Sequence, residues 1–112
     1  MTSQILVCTS CHGAERAGGL IAKLQAALGD SFQVGGVACM SGCTRPSVVA
    51  FRASGKASYV FGQIDPDAPI DDLIAFAALY AELPDGWITD ARGLGSLRMS
   101  AIARIPVGPD LP

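Results

Sequence analysis

The residues of this chain whose type and spacing suit chemistry are its four cysteines, arranged as a C-x2-C pair, Cys8 and Cys11, and a C-x3-C pair, Cys39 and Cys43. A thiolate is a soft metal ligand and an effective nucleophile, so paired thiols point to metal binding or to thiol–disulfide exchange. Four thiolates complete the shell of a [2Fe-2S] cluster, and four equally complete tetrahedral zinc, so the ligand count leaves both open. Cys8 and Cys11 alone also suit a redox dithiol. The pair precedes an expected helix, whose N-terminus lowers a thiol pKa, and Pro46 precedes a strand where thioredoxins keep a cis-proline. A second pair has no task in that chemistry.

Neighbouring residues suit the surroundings of such a centre. A [2Fe-2S] cluster with four thiolates is anionic in both oxidation states, so its loops must supply N–H donors and nearby cations; Gly13, Gly42, Arg16 and Arg45 are placed for this in sequence. His12 adjoins the first pair and is read as a surrounding or solvated residue, because four cysteines already fill the shell. With a single histidine, the two-histidine Rieske arrangement cannot be assembled within the chain.

The elements that must position these thiols follow from hydrophobic pattern. Gln4 to Val7 is a short apolar run that predicts a first strand ending at the first pair. From Glu15 to Leu28, the residues Leu20, Ile21, Leu24 and Leu28 share one helical face, and Gly29 marks the stop. Phe32 to Ala38 predicts a second strand despite Gly35 and Gly36, and it runs into the second pair. Ser47 to Arg52 and Ala57 to Phe61 predict a hairpin about the Ser54-Gly55 step. Pro69 near a first turn carrying Asp71 and Asp72, then Leu73, Phe76, Ala77 and Tyr80 on one face, predict a second helix ending near Pro84.

The resulting order, β-α-β then β-β-α, predicts an α/β fold: a thioredoxin-like β-α-β-β-β-α sandwich over residues 1–84. An irregular C-terminal arm over residues 85–112 packs on the domain or on a second subunit, carrying Trp87 and the apolar set Ile102, Ile105 and Val107. Parallel strands joined by a helix end on one edge of a sheet, where open α/β folds bind ligands. Each cysteine pair follows such a strand, which brings four thiols to one place.

Composition bounds the rest. A formal charge of -2 offers no cationic surface for nucleic acid, and no apolar run spans a bilayer. The opening lacks the charged and cleavable segments of a secretory signal, so the expectation is a cytoplasmic protein with reduced thiols. Asp65, Asp67, Asp71 and Asp72 are read as turn and helix-start residues rather than a docking patch. Arg92, Arg98 and Arg104 are read as solvated tail charges, and Trp87 and Tyr80 as packing aromatics. No hydrolase or kinase motif is present, which argues for a carrier rather than an autonomous enzyme.

The segments ILVCTSC, CMSGCTRP, SGKASYVFG and AIARIP together resemble the family of small predicted metal-binding proteins known as DUF1636, over nearly the whole chain. The arrangement is in turn similar to thioredoxin-like [2Fe-2S] ferredoxins and to the small cluster-bearing subunit of respiratory complex I. The C-x3-C pair agrees with those ferredoxins, while the C-x2-C pair is closer than theirs. The resemblance implies that Cys8, Cys11, Cys39 and Cys43 all ligate one [2Fe-2S] cluster. It further implies a one-electron carrier between a redox donor and acceptor, a homodimer, and a link to cobalamin or corrinoid metabolism. A zinc-binding or metal-delivery module, and an oxidoreductase using Cys8 and Cys11, are the alternatives.

Overall fold

A computed structural model describes residues 3–9, 14–38, 48–64, 70–88, 97 and 100–105. The first strand, β1, spans Ser3–Cys8, and helix α1 spans Ala14–Leu28 before a short tight turn at Gly29–Ser31. Three strands follow: β2 at Phe32–Val37, β3 at Val49–Arg52 and β4 at Ser58–Phe61. Helix α2 covers Asp71–Glu82, and β5 covers Ala101–Ile105. The five strands form one sheet in the order β2-β1-β3-β4-β5. β1 and β2 are parallel and all other neighbours antiparallel. The first four strands and both helices thus realise the thioredoxin-like arrangement, with a β-α-β unit joined to an antiparallel hairpin.

Alternation along the strands decides which face the helices cover, because successive side chains of a strand point to opposite sides. Ile5 and Val7 of β1, Val49 and Phe51 of β3, and Tyr59 and Phe61 of β4 lie opposite one another in register and are buried. They share one core with Leu20 and Leu24 of α1 and with Leu73, Phe76, Ala77 and Tyr80 of α2. Both helices therefore pack on one face. Burying each large side chain of this kind stabilises the fold by about 1.5–3 kcal/mol. The helical faces expected from sequence at Leu20 and Leu24, and from Leu73 to Tyr80, are the faces that pack.

The rings lock at the centre of that core. Phe76 of α2 meets Phe51 edge-on with centroids 4.7 Å apart, and Tyr59 and Phe61 at 5.1 Å each. Such edge-to-face contacts add about 0.5–1.5 kcal/mol beyond burial. On the opposite face the residues alternate with the core set and carry a polar ladder. There Arg52 donates from Nε to Gln4 Oε1 at 2.7 Å, and Gln4 donates onward to Gln33 Oε1 at 3.0 Å, crossing three strands.

The outer edge of β2 is blunted by a side chain. Gln25 of α1 accepts from Val34 N–H at 3.1 Å and donates to Phe32 O at 2.9 Å. Its amide thereby occupies two of the hydrogen-bonding groups that an edge strand otherwise offers to another chain.

The segment expected as an irregular arm contributes a regular strand. β5 pairs with β4 from Ser58↔Ile105 to Phe61↔Ala101, with a register shift at Val60 and Phe61. Its sequence, AIARI, is short and leaves every residue exposed, so it lacks the burial pattern by which a strand is read from sequence. Backbone pairing with β4, not side-chain burial, holds it. Trp87 is likewise at the surface, 37% exposed, with the Arg104 guanidinium 3.6 Å from its ring centroid. Arg104 also donates to Ile88 O at 2.8 Å, so this tail charge is tied to the domain. Arg92 and Arg98 lie outside the described residues. Among the described residues, no helix is long and apolar enough to cross a membrane.

Candidate metal centre

The carboxyl ends of β1 and β2 form one corner of the sheet. Their parallel register runs without interruption from Ser3↔Phe32 to Cys8↔Val37, so both strands stop level with each other. Three backbone segments meet there. Cys8 donates its N–H to Val48 O at 2.9 Å, and Thr9 donates its N–H to Val37 O at 2.8 Å. The Thr9 hydroxyl donates to the same Val37 carbonyl at 3.3 Å. Val37, two residues before the second cysteine pair, and Val48, five residues after it, are thereby bonded to the first pair and its neighbour Thr9.

Cys8 is the last residue of β1, where the sequence reading put it at the start of the loop. It is buried, with 2% exposure, and its sulfur lies 4.0 Å from Ala38 O. Alternation turns it to the face opposite the helical core, beside Val48, which is also fully buried. Cys11, Cys39 and Cys43 lie outside the described residues, as do His12, Gly13, Gly42, Arg45 and Pro46. Among the described residues, no group of three or more His, Cys, Asp or Glu side chains is gathered. Of the four candidate ligands the structure thus places Cys8, and it places the strand end from which Cys39 follows.

The acidic residues expected at a helix start are found there in part: Asp71 and Asp72 open α2 and are exposed, while Asp65, Asp67 and Pro69 lie outside the described residues. Carboxylates in a first turn are favoured by the helix dipole, which accounts for them without a ligand.

The opposite end of the sheet holds polar chemistry that sequence reading did not single out. Tyr80 of α2 donates its hydroxyl to Ala57 O at 2.6 Å, and Tyr59 of β4 donates to Gly86 O at 2.6 Å while accepting from Ile88 N–H at 2.9 Å. Lys56 donates to Tyr80 O at 2.8 Å, at the C-terminus of α2. Burial, with the neighbouring Tyr59 hydroxyl adding to it, pushes the Tyr80 pKa up from 10.0 to about 12. These groups fasten the segment after α2 to the hairpin. The signal available in sequence was two tyrosines on core faces, whose hydroxyls need partners when buried.

A mixed α/β sheet with a β-α-β unit, whose parallel strand ends carry a buried cysteine, is the class of protein that fold and corner define. Within it the chain belongs to the family described as Protein of unknown function (DUF1636), whose model matches residues 5–107. No curated protein and no solved structure matches the chain.

Proposed function

We propose that this protein is a one-electron carrier in which Cys8, Cys11, Cys39 and Cys43 hold one [2Fe-2S] cluster. The observation that carries the reading is the parallel register that ends at Cys8↔Val37. Consecutive Cα atoms are 3.8 Å apart, so Cys39, two residues beyond Val37, starts within about 8 Å of that strand end, and Cys11 within about 11 Å of Cys8. The donor set is all thiol, which suits iron–sulfur chemistry and zinc and does not suit hard cations.

When bound, the cluster supplies a site that accepts and returns one electron. The work left to the chain is to hold four thiolates, exclude water and donate hydrogen bonds to sulfur. Cys8 meets the second demand, since its thiol is withdrawn from solvent. The same burial weighs against Cys8 as an attacking thiol in disulfide exchange, where the nucleophile must be reached. The reading takes the chain as cytoplasmic and homodimeric, passing electrons from a protein donor to a protein acceptor that serves corrinoid chemistry.

The test is anaerobic purification with a visible spectrum and iron, sulfide and zinc determined per chain. Visible bands that bleach on reduction, with iron and sulfide in equal amount, are the expected result. A colourless protein with zinc and no sulfide sinks the carrier and leaves the metal module. Absence of all three after anaerobic reconstitution moves the Cys8 and Cys11 dithiol to the front.

A further inference from the structure

We propose that Gly36 and Thr9 interlock to set the spacing of the two strand ends from which the cysteines extend, and so act as positioning residues for the metal centre. The metal part of this inference rests on the reading above. Gly36 faces Val7 across the β1–β2 register, one residue before the end of β2. A Cβ at Gly36 meets the Thr9 methyl, Cγ2, at 2.7 Å and Ile21 Cδ1 of α1 at 3.5 Å. Carbon atoms repel strongly below the separations of about 3.5–4.0 Å at which they attract, so the first contact cannot be absorbed where it stands.

Thr9 has no easy way to yield. Its side chain is β-branched, so χ1 has few wells. Turning the methyl away from Gly36 takes the hydroxyl off Val37 O, and moving the backbone breaks the shorter Thr9 N–H bond to that same carbonyl. Thr9 is joined directly to Cys8, and Val37 directly to Ala38, whose carbonyl lies against the Cys8 sulfur. Any side chain at position 36 therefore displaces the groups around that thiol. Metal–thiolate sites tolerate only about 0.2 Å of error in ligand distance, which makes this corner sensitive to a single methyl group.

The chain contains its own control. Gly35 lies one residue earlier on the same strand, and a Cβ there meets nothing within 4 Å. Gly35→Ala and Gly36→Ala make the same chemical change and the same change in strand propensity, but only the second meets Thr9. Thr9→Ser keeps the hydroxyl and deletes the methyl, so it removes the clash without removing the bond to Val37 O.

The experiment compares the full chain with Gly35→Ala, Gly36→Ala, Thr9→Ser and the double variant Gly36→Ala with Thr9→Ser. After anaerobic reconstitution with iron and sulfide, the readouts are cluster content, reduction potential and electron paramagnetic resonance. In metal-free protein they are amide exchange at Thr9 and the alkylation rate of Cys8. Gly36→Ala is expected to weaken cluster retention by about tenfold or more, the scale on which residues around metal ligands act. It is also expected to shift the resonance, speed Thr9 amide exchange and expose Cys8. Gly35→Ala is expected to match the parent, and the double variant to recover. If the parent holds a cluster and Gly36→Ala equals Gly35→Ala in every readout, the interlock is wrong and the carrier reading stands. If the parent holds no iron or sulfide, the carrier reading and the metal role fall together. The interlock then stands or fails on Thr9 exchange and Cys8 alkylation alone.

Discussion

The two ends of the sheet solve the same problem, closing a sheet margin, by different means. At the end where β4 begins, side chains do it: Tyr59, Tyr80 and Lys56 reach backbone carbonyls, and the two tyrosine rings meet edge-on with centroids 5.9 Å apart. At the end where β1 and β2 stop, backbone is prominent among the described residues: Cys8 and Thr9 donate their N–H groups to Val48 O and Val37 O, and the Thr9 hydroxyl also reaches Val37 O. The first end is a clasp of side chains, and among the described residues no buried side-chain nitrogen or oxygen at either end is left unpaired. The clasp belongs to the first end, and the proposed metal chemistry to the second.

Removing the thiol is the sharpest way to break that division. Cys8→Ser is expected to abolish the proposed visible chromophore and bound iron, while the near-ultraviolet circular dichroism of the aromatic end stays at the parent value. Loss of both signals together would mean that the two ends are not independent.

Phe76→Ala attacks the ring cluster at the centre of the core, on which the clasp is built. It removes the ring that touches Phe51, Tyr59, Phe61 and Tyr80. Truncating a buried phenylalanine costs about 3–5 kcal/mol, a large share of the ~5–15 kcal/mol that holds a typical domain together. Urea denaturation is expected to show that loss, with the cluster content of the protein that remains folded unchanged.

Tyr80 gives the clasp a pH dependence. Its folded pKa lies above the ordinary value, at about 12, through burial first and Tyr59 second. The native state therefore holds the phenol proton more tightly than the unfolded chain. This contribution is fully present below pH 10.0 and is lost as pH rises from there through about 12. Denaturation midpoints across that window are expected to fall more steeply for the parent than for Tyr80→Phe. Equal slopes would remove Tyr80 from the clasp.

The smallest effect is expected at β5. Arg104→Ala deletes the stacking on Trp87 and the part-buried bond to Ile88 O, and contacts of this kind contribute about 0.5–1.5 kcal/mol each. A small shift in the denaturation midpoint, with a blue or red change in Trp87 fluorescence, checks it.

Much of the fold was legible because it rests on local periodicity. Leu20 and Leu24, and Leu73, Phe76, Ala77 and Tyr80, recur at helical spacing and all pack inward. Val49 and Phe51, and Tyr59 and Phe61, alternate as strand residues must. The hairpin between them closes through Lys56 N–H to Ala53 O at 3.1 Å, at the Ser54-Gly55 step that marked it. β5 was hidden because all its residues are exposed, so burial leaves no periodic trace in them. At the site, the chain order of strand, helix and strand was enough to anticipate that β1 and β2 run parallel and end level at one edge.

The sequence by itself determined β1 to β4, both helices and the edge at which β1 and β2 end, because these follow from local pattern and from the geometry of a β-α-β crossover. Tertiary structure alone decided that Cys8 ends its strand as a buried thiol and that Arg104 belongs to Trp87. It alone decided that Gly36 is crowded by Thr9 while Gly35 is not. Two adjacent glycines look alike in one dimension. They differ only when a second strand and a helix are laid against them, because a steric contact is a property of residues far apart in the chain and close in space.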